Sequence, residues 1–223
     1  MKAGIFTSMI LMLTTFCAAQ DHGFLEFNGS IDYGYRLHFS DADNSIFQTD
    51  NKEVPKFGYR LGLAYNLPVK ENLVLKAGAR FVTARYKTKE VQILGIPMPE
   101  TFRSIIAYDY LEVPLAVRLE KPVKKWKSFW ELGLTPSMYL ETTQKLYRNG
   151  EEGTYTTKES KEVVNQFALG GYVSHGILYK IHEIVQIYGA LALRMNFSPT
   201  LDNGIAKEYL MNAGFEMGVQ LGL

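Results

Sequence analysis

The sequence predicts an all-β protein: an antiparallel up-and-down transmembrane β-barrel of about eight strands, of the outer-membrane type. Three observations carry this. Period-two alternation recurs through eight segments, the connections between them alternate between short and long, and aromatic residues collect at strand ends. The 223 residues are 47% hydrophobic, 13% aromatic and 21% charged, which fits neither disorder nor a helical membrane protein. No run of eighteen apolar residues follows Gln20, so no transmembrane helix is available.

Residues 1–19 read as a signal peptide. Lys2 supplies a positive start, residues 5–13 an apolar centre, and Cys17-Ala18-Ala19 the small residues that a signal peptidase recognises. Cleavage between Ala19 and Gln20 leaves residues 20–223 as one barrel domain. Acylation of Cys17 would require a small residue before it, and Phe16 stands there. Lys2 and the only cysteine leave with the peptide, so the exported chain balances its charges and has no disulfide or thiolate metal site. With no basic excess to neutralise a phosphate backbone, nucleic acid is not an expected partner.

The strands follow in order. In residues 25–37, Leu25, Phe27, Ile31, Tyr33, Tyr35 and Leu37 share one face, with Glu26, Asn28, Ser30, Asp32, Gly34 and Arg36 on the other. Residues 57–67 set Phe57, Tyr59, Leu61, Leu63, Tyr65 and Leu67 against Arg60 and small or polar neighbours. Residues 73–86 oppose Lys76, Gly78 and Arg80 to Leu75, Ala77, Ala79 and Phe81, and residues 111–120 oppose Glu112, Arg118 and Glu120 to alternate Leu and Val. Residues 130–141 place Trp130, Leu132, Leu134, Met138 and Leu140 opposite Glu131, Gly133, Thr135, Ser137, Tyr139 and Glu141. A weaker segment spans about 164–179. Residues 185–197 set Ile187, Leu191 and Leu193 against Gln186, Tyr188 and Arg194, and residues 209–223 set Phe215, Met217 and Val219 against Glu216 and Gln220. Each segment is long enough for a tilted transmembrane strand.

The links at 68–72, 121–127 and 180–183 are short, whereas those at 40–56, 87–104, 148–162 and 199–207 are long, as expected for periplasmic turns and outer loops. A soluble barrel would alternate too, but its polar face would be solvated. Here that face mixes Gly and Ala with ionic side chains, as a narrow lumen requires. Tyr33, Tyr35, Phe57, Tyr59, Tyr86, Tyr108, Tyr110, Phe197 and Tyr209 are expected near the outer rim, and Phe24, Phe27, Tyr65, Trp130 and Tyr179 near the periplasmic one.

The candidate functional constellation is a lumen charge network of Glu26, Arg36, Arg60, Lys76, Arg80, Glu112, Arg118, Glu120, Glu131, Arg194 and Glu216. These charges must pair, because an unpaired buried charge costs several kcal/mol. The reading favoured by the barrel's small size is a salt-bridge plug; a narrow ion or solute channel is the alternative. Cofactor and hydrolase motifs are absent, so no catalytic, cofactor-binding or metal residue is assigned and no enzyme is expected. The rival from another class is a lipid-modifying enzyme using His38, which stands at the outer rim beside Ser40 and Asp41. Pro114 and Pro136 fall within neighbouring strands and are expected to lie close together at a bulge. Lys121, Lys124, Lys125 and Lys127 with Trp126 form a basic turn at the periplasmic interface.

The stretch YLEVPLAVRL, residues 110–119, resembles the signature strand of the PorT-like outer-membrane β-barrel family of Bacteroidota. Residues 57–86, with Gly-Tyr-Arg-Leu-Gly, a tight turn and Leu-x-Leu-x-x-Gly, resemble the same family. The residues read as a small, monomeric, non-enzymatic barrel in the cell outer membrane, and the resemblance implies participation in protein secretion or envelope assembly. Its role would be structural or interaction-based, its partners outer-membrane lipid and an envelope or secretion-machinery protein. Such barrels usually end on an aromatic residue, where Leu223 stands.

Overall fold

The computed structural model describes residues 23–40, 54–88, 91–93, 100–148, 151–155, 164–202 and 206–223. The expected signal peptide and its Ala19–Gln20 junction lie outside them. The described residues contain no helix. Their strands are β1 (Phe24–Ser40), β2 (Val54–Lys70), β3 (Leu73–Lys87), β4 (Val91–Ile93), β5 (Glu100–Glu112), β6 (Leu115–Val123), β7 (Trp126–Arg148), β8 (Glu151–Tyr155), β9 (Phe167–His182), β10 (Val185–Asn196), β11 (Leu201–Asp202) and β12 (Ala206–Gly222).

Eight walls close into a ring. β5 and β6 are two halves of one wall, interrupted at Val113 and Pro114, and both lie between β3 and β7. The remaining pairings run β7–β9–β10–β12–β1–β2–β3, all antiparallel, so the last wall pairs with the first and no edge is left. Leu223 N–H donates to Gly23 O at 3.0 Å, which brings the two ends of the described barrel together. β4, β8 and β11 extend the hairpins at the end where the long connections lie. At the other end the turns are tight, and Lys124 adopts a φ of 57° to make one of them.

The faces are inside out relative to a soluble protein. Leu61, Leu132 and Leu191 are 59%, 69% and 69% exposed on the outer wall, while Glu26 and Arg118 are 0% and 1% exposed within. The outer apolar band is what lipid requires.

Two expectations are corrected. Tyr86, Tyr108 and Tyr110 do not join the outer aromatic belt. They point inward and, with Val82, Ala84, Val164 and Leu210, fill the outer half of the lumen; Tyr86 Oη donates to Tyr108 Oη at 3.1 Å. Tyrosine suits either place, since its ring is apolar and its hydroxyl is satisfied by one partner. Glu141 lies outward because the β5–β7 register shifts between Asp109 and Tyr110, where Leu140 is the extra residue. Beyond that bulge the parity of β7 inverts, and Thr142 rather than Glu141 is buried.

Candidate functional site

The middle of the lumen is an ionic layer built from inward positions of eight walls. From β1, Glu26 accepts hydrogen bonds from Asn28 and Asn66 Nδ2 and Gln220 Nε2, each at 2.9 Å, and from Tyr188 Oη at 2.7 Å. Lys76 Nζ lies 2.7 Å from the same carboxylate and Arg118 Nη2 3.3 Å. Glu131 on β7 receives Arg118 through Nε at 2.7 Å and Nη2 at 2.6 Å, Lys76 at 3.2 Å and Tyr172 Oη at 2.5 Å. Glu216 on β12 receives Arg80 at 3.0 Å, Arg194 at 2.5 Å and Tyr188 Oη at 2.8 Å. Asp32 bridges Arg194, at 2.7 Å, to Arg60, which reaches Glu112 more loosely at 3.5 Å.

Electrostatics and packing agree in this layer. Arg60, Lys76, Arg80, Arg118 and Arg194 face Glu26, Asp32, Glu112, Glu131 and Glu216, so the formal charges cancel. Aromatic rings occupy the space between: the Arg118 guanidinium lies 4.4 Å from the Phe129 ring centre, and Arg194 lies 5.9 Å from that of Tyr172. Below, Phe129, Leu178, Tyr188 and Ala190 form a second apolar cluster, so the ionic layer is capped by apolar side chains on both sides.

Glycines make room for the rings. Gly133 is the β7 register partner of Tyr172, and a Cβ built there would lie 2.3 Å from the Tyr172 ring and 3.0 Å from Ala116 Cβ. Gly133→Val is therefore expected to push Tyr172 off Glu131 and to destabilise the barrel by about 1–3 kcal/mol. Loss of heat-modifiable migration at lower temperature would register it, and unchanged migration would mean that the ring has another place to go.

Of the residues expected in the network, Glu120 stands apart, paired at 2.7 Å with Lys127 beside the tight turn at Lys124. Arg36 is the register partner of Leu210 on β12, but its side chain lies outside the described residues. The sequence reading omitted Asp32, Asn66, Tyr172, Tyr188 and Gln220 from the network. Their inward parity was the available signal, and their polar atoms are what complete the coordination of Glu26, Glu131 and Glu216.

His38 is the register partner of Glu208, and its side chain, like Asp41, lies outside the described residues. His175 faces outward, with its Nε2 3.2 Å from Ser128 Oγ and its ring stacked on Trp130. Among the described residues no cluster of His, Cys, Asp and Glu could hold a metal ion. Pro114 and Pro136 do lie side by side, but neighbours continue the ladder: Val113 N–H donates to Pro136 O at 2.9 Å and Gly78 N–H to Pro114 O at 3.1 Å.

Residues 18–203 match the family model described as outer membrane protein beta-barrel domain. The chain belongs to this family. It is a protein of the cell outer membrane. Among solved structures it is similar to Neisserial surface protein A, at 12% identity and a TM-score of 0.45, covering 91% of this chain and 99% of that one. It is also similar to OprG from Pseudomonas aeruginosa, at 12% identity and a TM-score of 0.47, with 92% and 97% covered. The attachment invasion locus protein Ail of Yersinia pestis follows at 10% identity and a TM-score of 0.33, with 89% and 99% covered. No curated protein sequence matches the chain.

Proposed function

We propose that this barrel is a non-conducting, non-enzymatic envelope protein whose work is done at its surfaces, through lipid or protein contacts made by its outer loops or periplasmic turns. The observation that carries the reading is the lumen. Its charges are matched, hydrogen-bonded across the barrel and capped by apolar clusters above and below, which favours a filled core over a solute path. The resemblance of residues 110–119 and 57–86 to PorT-like proteins supports a role in protein secretion or envelope assembly. Planar-bilayer recording is the test. The purified protein is expected to give no steady current, and large porin-like steps would replace this reading with that of a channel.

A further inference from the structure

The outer wall carries a second charged feature, separate from the lumen. Beyond the ring of Tyr33, Phe57, Tyr59 and Phe81, whose members stack at 5.3 Å (Tyr33–Phe57) and 6.3 Å (Tyr59–Phe81), β3, β5 and β7 continue upward with alternate residues facing out. Val82, Ala84 and Tyr86 face the lumen, so Arg85 and Lys87 face lipid or headgroups. Tyr108 and Tyr110 face in, so Arg103, Ile105 and Ala107 face out; Thr142 faces in, so Lys145 and Tyr147 face out.

The register sets these cations side by side. Lys87 pairs with Ile105, and Ile105 with Lys145, in one row; Arg85 pairs with Ala107 in the row below, and Arg103 with Tyr147 in the row above. At strand spacings of about 5 Å and about 7 Å between same-face residues, the group spans roughly 10 by 14 Å. None of residues 85–87, 103–107 or 143–147 is acidic. The acids flank the group: Asp109 and Glu141 pair on the membrane side, and Glu152 is the register partner of Tyr147. Among the described residues, Arg85, Lys87 and Arg103 meet no carboxylate within ion-pair distance. The guanidinium groups are already positioned, with Arg85 5.6 Å from the Tyr59 ring centre and Arg103 4.6 Å from that of Tyr147.

A repulsive cluster of cations just above an aromatic belt lies at headgroup depth in the outer leaflet. We propose that Arg85, Lys87 and Arg103, with Lys145 in the same row as Lys87, form a binding site for the phosphate groups of a phosphorylated glycolipid in that leaflet. The aromatic belt takes the acyl chains, the row of cations engages phosphate, and the width of the group allows two phosphates to be held at once.

Native mass spectrometry of the full barrel in detergent tests this, with diphosphorylated lipid A and its dephosphorylated form as probes. The expected result is retention of the phosphorylated lipid, loss with the dephosphorylated one, and retention at least about tenfold weaker in R85Q/K87Q/R103Q. R85K/R103K is expected to restore most of the binding. If the triple variant fails to fold, Lys87→Gln alone serves, since among the described residues Lys87 stacks on no ring. Equal retention of both lipids, or equal retention by wild type and folded variant, overturns the proposal. Displacement by millimolar inorganic phosphate would overturn it in favour of a site for soluble anions.

Discussion

Glu26→Ala is expected to destabilise the barrel by about 3–5 kcal/mol, the usual penalty for leaving a buried cation without its partner. Glu26 is fully buried and is the acceptor on which Lys76, Arg118, Tyr188, Asn28, Asn66 and Gln220 converge. Removing it leaves the Lys76 ammonium only the longer contacts, to Glu131 at 3.2 Å and Glu216 at 3.6 Å, and leaves three amide groups without their acceptor. Glu26→Gln keeps the shape and part of the hydrogen bonding, so its loss should be smaller. Urea unfolding in lipid vesicles measures both. If Glu26→Ala unfolds within about 1 kcal/mol of the parent, the network is not a significant source of stability, and the plugged-lumen reading loses its support.

The second large effect belongs to the lipid face. Arg placed at Leu63, Leu115 or Leu193, which are 48%, 36% and 54% exposed between the two aromatic zones, should cost about 2–4 kcal/mol each if these positions lie near the bilayer midplane. The same vesicle-unfolding measurement applies, with Glu141→Arg as the comparison, since Glu141 is an outward position that is already charged. Tolerance of all three leucine substitutions would place them away from the hydrocarbon core.

What could be read beforehand was whatever depends on parity within one strand. Leu111, Leu115 and Leu119 alternate with Glu112, Arg118 and Glu120 whatever the neighbouring strands do, and the proline between them does not disturb that count. The bulge at Leu140 is different. One extra residue leaves no mark in composition, yet it turns Glu141 outward and Thr142 inward. Tyr86, Tyr108 and Tyr110 were ambiguous for a physical reason: a belt and a closed lumen want the same residue, and only the joint register of β3, β5 and β7 decides between them. The partners of the lumen charges were equally out of reach. Tyr188 and Gln220 stand 162 and 194 positions from Glu26 in the chain, and no local pattern announces a meeting at that separation.

The seam between β1 and β12 bears on the order in which the barrel can form. Glu26 and Glu216 lie on its two sides, and Lys76 and Tyr188 reach both of them. Strands that enter the bilayer before the ring shuts lack every contact that crosses this seam: Lys76 and Arg80 to Glu216, Arg194 to Asp32, and Tyr188 and Gln220 to Glu26. The favourable exchange comes only when the first and last walls meet. Closure should therefore be the late, all-or-none event of folding, and parting this seam should be the rate-determining step when the protein unfolds, with the half-open ring too costly to accumulate.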